Sequence, residues 1–153
     1  MTHPVTFESL DLSMPGGTCD AYLAHPSGGG PWPRVLLIMD AVGLRPRIAD
    51  MVSRVASWGY AVLAPNTFYR VGRQPLVDPT LLTAERRADR MARFGELIPS
   101  LSPAMWAVDG PAYLDHLAAL DVVRRDEPAR IVGYCMGGRL ALALAAQQPA
   151  QVG

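Results

Sequence analysis

The chain reads as an α/β domain built on a mainly parallel sheet. Three observations carry that reading. Short apolar runs without polar alternation, such as Val35-Leu36-Leu37-Ile38, have the character of strands buried on both faces. Segments with helical spacing alternate with those runs, as βαβ units require. Finally, 153 residues, half of them hydrophobic and 18% charged, suit one domain (residues 1–153) with a real core and exclude a disordered composition.

Thr6 to Leu10 and Thr18 to Ala24 are expected to form an antiparallel hairpin around Met14-Pro15-Gly16-Gly17. Pro26 to Pro33, holding Gly28, Gly29 and Gly30, is a surface loop, and Arg34 to Met39 is the first buried strand. Pro46 suits the first turn of a helix; Ile48, Met51, Val52 and Val55 give it an apolar stripe, and Gly59 stands where a C-terminal glycine belongs. Tyr60 to Ala64 is the next buried strand, stopped by Pro65 and followed by a loop from Asn66 to Thr80. Thr83 to Leu97 predicts a helix with a solvated face, and Pro99 and Pro103 mark a break. Asp109 is placed to cap a helix from Pro111 to Arg124 with Tyr113, Leu114, Leu117 and Leu120 on its apolar side. Arg130 to Tyr134 is a short strand and Gly137 to Gln147 a helix.

Fourteen basic and fourteen acidic residues cancel, with the arginines spread along the chain, so neither nucleic acid nor an anionic membrane is indicated as a partner. Met1 to Leu10 lacks a basic n-region and an apolar h-region, and the run Val35 to Met39 is too short for a span, which needs about 20 residues. Cys19 and Cys135 are isolated, without CxxC or Cys/His ligand spacing. The expectation is a cytoplasmic protein with a small-molecule partner and no metal or cofactor.

The chemically informative segment is Gly133-Tyr134-Cys135-Met136-Gly137-Gly138, between an expected strand and an expected helix. It matches a G-x-S-x-G nucleophile elbow with cysteine at the centre. The tight turn exposes the central side chain in a strained conformation, and Gly133, Gly137 and Gly138 remove Cβ atoms that would obstruct it. The positive end of the following helix favours a thiolate at Cys135. The Met136 N–H is a candidate oxyanion-hole donor, with Ala41 N–H, on the loop after Arg34 to Met39, as the second. The alternative for Cys135 is a small buried residue at a tight turn.

These residues carry a resemblance. Gly-Tyr-Cys-Met-Gly-Gly resembles the elbow of the dienelactone hydrolase family, within the α/β-hydrolase superfamily. Ile38-Met39-Asp40-Ala41-Val42-Gly43 resembles that family's loop after its third strand, and Trp58 to Asn66 its helix-to-strand stretch. The resemblance covers the N-terminal two-thirds of such a protein. It implies an α/β-hydrolase-type sheet and hydrolysis of a small-molecule ester or lactone through a cysteine thioester acyl-enzyme. It implies for Asp40 an accessory acidic role at the resting thiol, where better-known members carry glutamate; a turn residue is the alternative. Arg86, Arg87 and Arg90 lie in the region of the family's carboxylate-binding arginines, and Tyr69, Arg70 and Trp106 are candidates for the pocket lining.

A triad is incomplete as written. The order in this superfamily is nucleophile, acid, histidine, yet residues 136–153 hold no Asp, Glu or His. His3, His25 and His116 lie upstream, and none is expected to act as the base. The resemblance also implies about three further strands beyond Arg130 to Tyr134. The chain is therefore expected to be cut short after the elbow helix, leaving an exposed apolar sheet edge open to self-association. The competing expectation is an inactive hydrolase fragment that serves as a binding or self-associating domain.

Overall fold

The computed structural model describes residues 2–153. The hairpin is longer than the alternation indicates: β1 (Val5–Met14) and β2 (Gly17–Pro26) pair antiparallel in unbroken register from Val5↔Pro26 to Met14↔Gly17. β3 (Arg34–Ile38) leads through α1 (Pro46–Ser57) to β4 (Ala61–Pro65). A 3₁₀ turn (Pro79–Leu82), α2 (Arg87–Leu97), a second 3₁₀ turn (Ile98–Ser100) and α3 (Pro103–Ala119) lead to β5 (Arg130–Gly133), and α4 (Met136–Gln147) follows.

The sheet order is β1-β2-β4-β3-β5, with β3 parallel to both β4 and β5 and β2 antiparallel to β4. The sheet is thus mixed: a parallel three-strand part extended by the antiparallel hairpin. The chain steps one way from β3 to β4 and then back past β3 to β5. Right-handed crossovers therefore put the connecting helices on opposite faces. α1 packs against β2 and β4, whereas α3 and α4 pack on β3 and on each other. Leu36, Leu37, Ile38 and Ala61 to Ala64 are consequently fully buried, which explains runs with no polar alternation. β5 is an edge strand, its Ile131 and Val132 only half-buried. No helix among the described residues is long and apolar enough to cross a membrane.

α3 departs most from expectation. It begins at Pro103, eight residues before Pro111, and is capped by Ser102, whose Oγ accepts from Met105 N at 3.2 Å. Pro111 lies inside it, where proline removes the N–H that would bond the Ala107 carbonyl. Gln147 Nε2, at the end of α4, donates to that carbonyl at 2.8 Å and replaces the lost bond. Asp109 is therefore no cap. It is buried in the helix, where its carboxylate accepts from Tyr69 Oη (2.8 Å) and from Arg70 Nε (3.0 Å) and Nη2 (2.8 Å). α2, by contrast, starts later than expected, at Arg87, and its exposed face is as expected.

Candidate active site

β5 and α4 are separated only by Tyr134 and Cys135. At that junction Cys135 adopts φ 55° and ψ −118°, the only non-glycine residue with positive φ among those described. Such a conformation is costly for an L-residue, on the order of 1–3 kcal/mol, and persists only where its surroundings enforce it. Here the enforcement is backbone contact. Tyr134 N donates to Ile38 O at 3.2 Å, and Gly137 N donates back to Tyr134 O at 2.8 Å. A Cβ on Gly133 would collide with the Gly137 carbonyl, and one on Gly137 would lie 2.5 Å from both Ile38 O and Met39 O. Gly133 and Gly137 are thus required by close approach. Gly138 is not: a Cβ there would come no nearer than 3.5 Å to Gly133 O, so the expectation for this third glycine is corrected.

The turn leaves Cys135 exposed while Cys19 is fully buried. Burial among Asn66, Tyr113 and Asp20 pushes the Cys19 thiol up to about 12. Cys19 Sγ donates to backbone carbonyls of Asp20 and Asn66 at 3.3 and 3.4 Å, a structural role. Among the described residues, neither Met136 N–H nor Ala41 N–H donates to a protein acceptor. Both residues are buried, Ala41 at 2% exposure; Met136 precedes Gly137, which is backed against the Ile38 and Met39 carbonyls, and Ala41 follows two residues after Met39.

Both oxygens of Asp40 are engaged by its own loop. Its Oδ1 accepts from Val42 N (3.0 Å), Gly43 N (3.3 Å) and Arg45 Nη1 (2.7 Å), and its Oδ2 from Arg45 Nη2 (2.8 Å). The carboxylate organises its own loop, and no hydrogen bond joins it to Cys135 among the described residues. Arg45, which the sequence reading passed over, is its partner; a basic residue five positions after the acid was the available signal.

The other candidates are taken up elsewhere. Tyr69 and Trp106 are buried, Tyr69 on Asp109 and Trp106 donating through Nε1 to Leu140 O at 3.0 Å, and Arg70 also holds Asp109 of α3. Arg86 pairs with Asp89 on the surface, and Arg90 donates to Leu81 O and Thr83 O. His3 stacks edge-on with Trp32, and His25 Nδ1 bonds Pro26 O. His116 Nε2 bonds Ser13 O in β1, at the opposite edge of the sheet from β5. Four strand spacings of about 4.8 Å put some 19 Å across that sheet. A cleft of about 610 Å³ opens beside β1 and β2, lined by Leu10, Asp20, Tyr22, Leu44, Arg45 and Gln74 among others; Cys135 is not in its wall.

A mixed sheet with helices on both faces and a strained residue exposed between strand and helix defines an α/β-hydrolase fold. Comparison with known proteins specifies it further. Residues 19–153 match the model of the dienelactone hydrolase family, and the chain belongs to that family. A protein of Methylorubrum extorquens named "Putative carboxymethylenebutenolidase" is 30% identical over 144 residues, covering 92% of this chain and 45% of that protein. A Klebsiella pneumoniae structure described as "Putative Dienelactone Hydrolase" superposes with a TM-score of 0.80 at 25% identity, covering 98% of this chain and 57% of that one. A further structure, "m3DLH", gives 0.74 at 27% identity over 97% of this chain and 57% of that one. The chain spans about half the length of the curated relatives it matches.

Proposed function

We propose that Cys135 is the nucleophile of an ester- or lactone-cleaving hydrolase of the dienelactone type, with Met136 N–H and Ala41 N–H as the oxyanion donors. The observation that carries this reading is the exposed Cys135 at positive φ, at the N-terminus of α4. Strain of that kind aims a side chain outward at the cost of stability, which a structural cysteine such as Cys19 does not need. The family's description points to a lactone as the natural class of substrate.

In the step so assigned, Cys135 Sγ as thiolate attacks the carbonyl carbon. An S–C bond forms and the carbonyl electron pair moves to oxygen, where two fixed N–H donors stabilise it. Collapse re-forms the carbonyl and breaks the C–O bond, leaving a thioester and an alkoxide or phenolate. Hydrolysis of the thioester needs a base to activate water. Acylation is the step assigned to Cys135 and the two amides.

p-Nitrophenyl acetate tests this. All fourteen cationic side chains are arginine, so no lysine amine competes for the acetyl group. The expected result is a burst of about one nitrophenolate per chain, with one acetyl group mapped to Cys135 by mass spectrometry and none in Cys135→Ala. Acetylation that persists in Cys135→Ala, or a wild-type chain that is not acylated, overturns the assignment.

A further inference from the structure

Between β3 and α1 the sequence runs Asp40-Ala41-Val42-Gly43-Leu44-Arg45, and its bonds are unevenly distributed. Asp40 gathers the amides two and three residues on, Val42 N and Gly43 N, into one carboxylate oxygen. Gly43 N also donates to Asp40 O at 3.1 Å, closing the turn, and Gly43 takes φ +94°, which glycine alone adopts without strain. The intervening amide, Ala41 N–H, is left outside this ring of bonds. Arg45 then grips the turn from the far side, with its fork on both Asp40 oxygens and Nη1 also donating to Gly43 O at 2.8 Å. Both side chains are about three-quarters shielded, at 23% and 24% exposure, so this pair is less screened than a surface ion pair.

The clamped loop is continuous with the backbone that supports the elbow. Ile38 O accepts from Tyr134 N, and Gly137 is backed against the Ile38 and Met39 carbonyls, two and one residues before Asp40. The elbow and the Ala41 amide are therefore joined through the end of β3 and the turn after it. An oxyanion donor is effective when its position is fixed before charge develops, and a displacement of about 1 Å can cost 100-fold in rate.

We propose that Arg45 is a positioning residue for the oxyanion hole, acting through Asp40 to hold the Ala41 amide fixed beside the Cys135 elbow. The proposal rests on the reading of Cys135 as an acylating nucleophile. Arg45 touches no reacting atom in this scheme. Its guanidinium matters as a planar fork, which lysine cannot reproduce.

The test separates two reactions of one thiol. Acylation by p-nitrophenyl acetate builds an oxyanion; alkylation by iodoacetamide displaces iodide and builds none. In Arg45→Ala the acylation rate of Cys135 is expected to fall roughly 10- to 100-fold, while alkylation stays within about twofold of wild type. Arg45→Lys should be intermediate, and the Asp40→Asn, Arg45→Ala double variant no slower than the slower single, because both residues act as one unit. If circular dichroism shows Arg45→Ala unfolded, Arg45→Lys and Asp40→Asn carry the same comparison. Acylation within about twofold of wild type in these variants, or acylation and alkylation falling together, overturns the proposal while leaving Cys135 as the nucleophile. A wild-type chain not acylated at Cys135 removes the underlying reading instead, and Cys135→Ala distinguishes the two failures.

Discussion

Gly137→Ala and Gly138→Ala change adjacent residues by the same methyl group, and the structure assigns them opposite signs. A Cβ on Gly137 lies 2.5 Å from Ile38 O and from Met39 O. That is about 1 Å inside an ordinary non-bonded separation at each oxygen. The Ile38 oxygen cannot retreat easily, because Ile38 ends β3 paired with Gly133 of β5 and accepts from Tyr134 N. Forcing the elbow off β3 is overpacking against backbone, with a cost of about 2–4 kcal/mol. For a chain of this size each kcal/mol moves the midpoint by about 2–4 °C, so Gly137→Ala should lower Tm by roughly 5–15 °C. At Gly138 the nearest contact is an ordinary 3.5 Å, and the residue is in the first turn of α4. Replacing a helical glycine by alanine gains about 0.5–1 kcal/mol, so Gly138→Ala should raise Tm by roughly 1–4 °C. Calorimetry or thermal circular dichroism on the three proteins decides the matter. If both variants shift Tm in the same direction by similar amounts, contact with β3 is not what demands glycine in the elbow.

Two further perturbations probe the interior. Asp109→Ala leaves the Arg70 guanidinium and the Tyr69 hydroxyl without their shared acceptor and should cost about 3–5 kcal/mol in urea unfolding; a loss below about 1 kcal/mol would show that water substitutes freely for the carboxylate. Burial raises the Cys19 thiol from 9.0 to about 12 and the Tyr69 hydroxyl from 10.0 to about 12, so in alkali the native state holds protons that the unfolded chain releases. Their contribution to stability is complete below the unfolded values and is lost as pH rises through that window. The urea midpoint should therefore fall as the pH is raised from about 9 to about 11, less so in Cys19→Ala, and a thiol reagent should titrate Cys135 in the native protein but Cys19 only after unfolding. A flat midpoint, or two thiols reacting natively, would contradict the buried setting of Cys19.

Much of this protein is local and could be read from the chain alone. The buried strands announce themselves because a strand covered on both faces has no reason to alternate, as in Val35 to Ile38 and Ala61 to Ala64. The elbow could be read for a similar reason: a turn that tight restricts its own residue types, so glycines around Cys135 mark it before any contact is known. Even so, the sequence cannot say which glycines face an obstacle. Gly133 and Gly137 meet backbone at distances no Cβ tolerates, whereas Gly138 meets only an ordinary contact at 3.5 Å, and only the packed structure separates them.

The errors share one physical cause, the choice of partner across the fold. Pro111 reads as a helix start, yet it sits mid-helix because Gln147 supplies the donor that proline removes. Asp109 reads as a cap and is a buried acceptor for Tyr69 and Arg70. Asp40 reads as either a companion to the thiol or a turn residue, and its two oxygens hold Arg45 and the turn amides. A carboxylate accepts any well-placed donor, and which donors are well placed depends on backbone paths that meet only after folding. Residue identity by itself determined the strands, the elbow and the position of its cysteine. Tertiary structure alone decided what each carboxylate holds, because those bonds join segments far apart in sequence or select among several nearby donors.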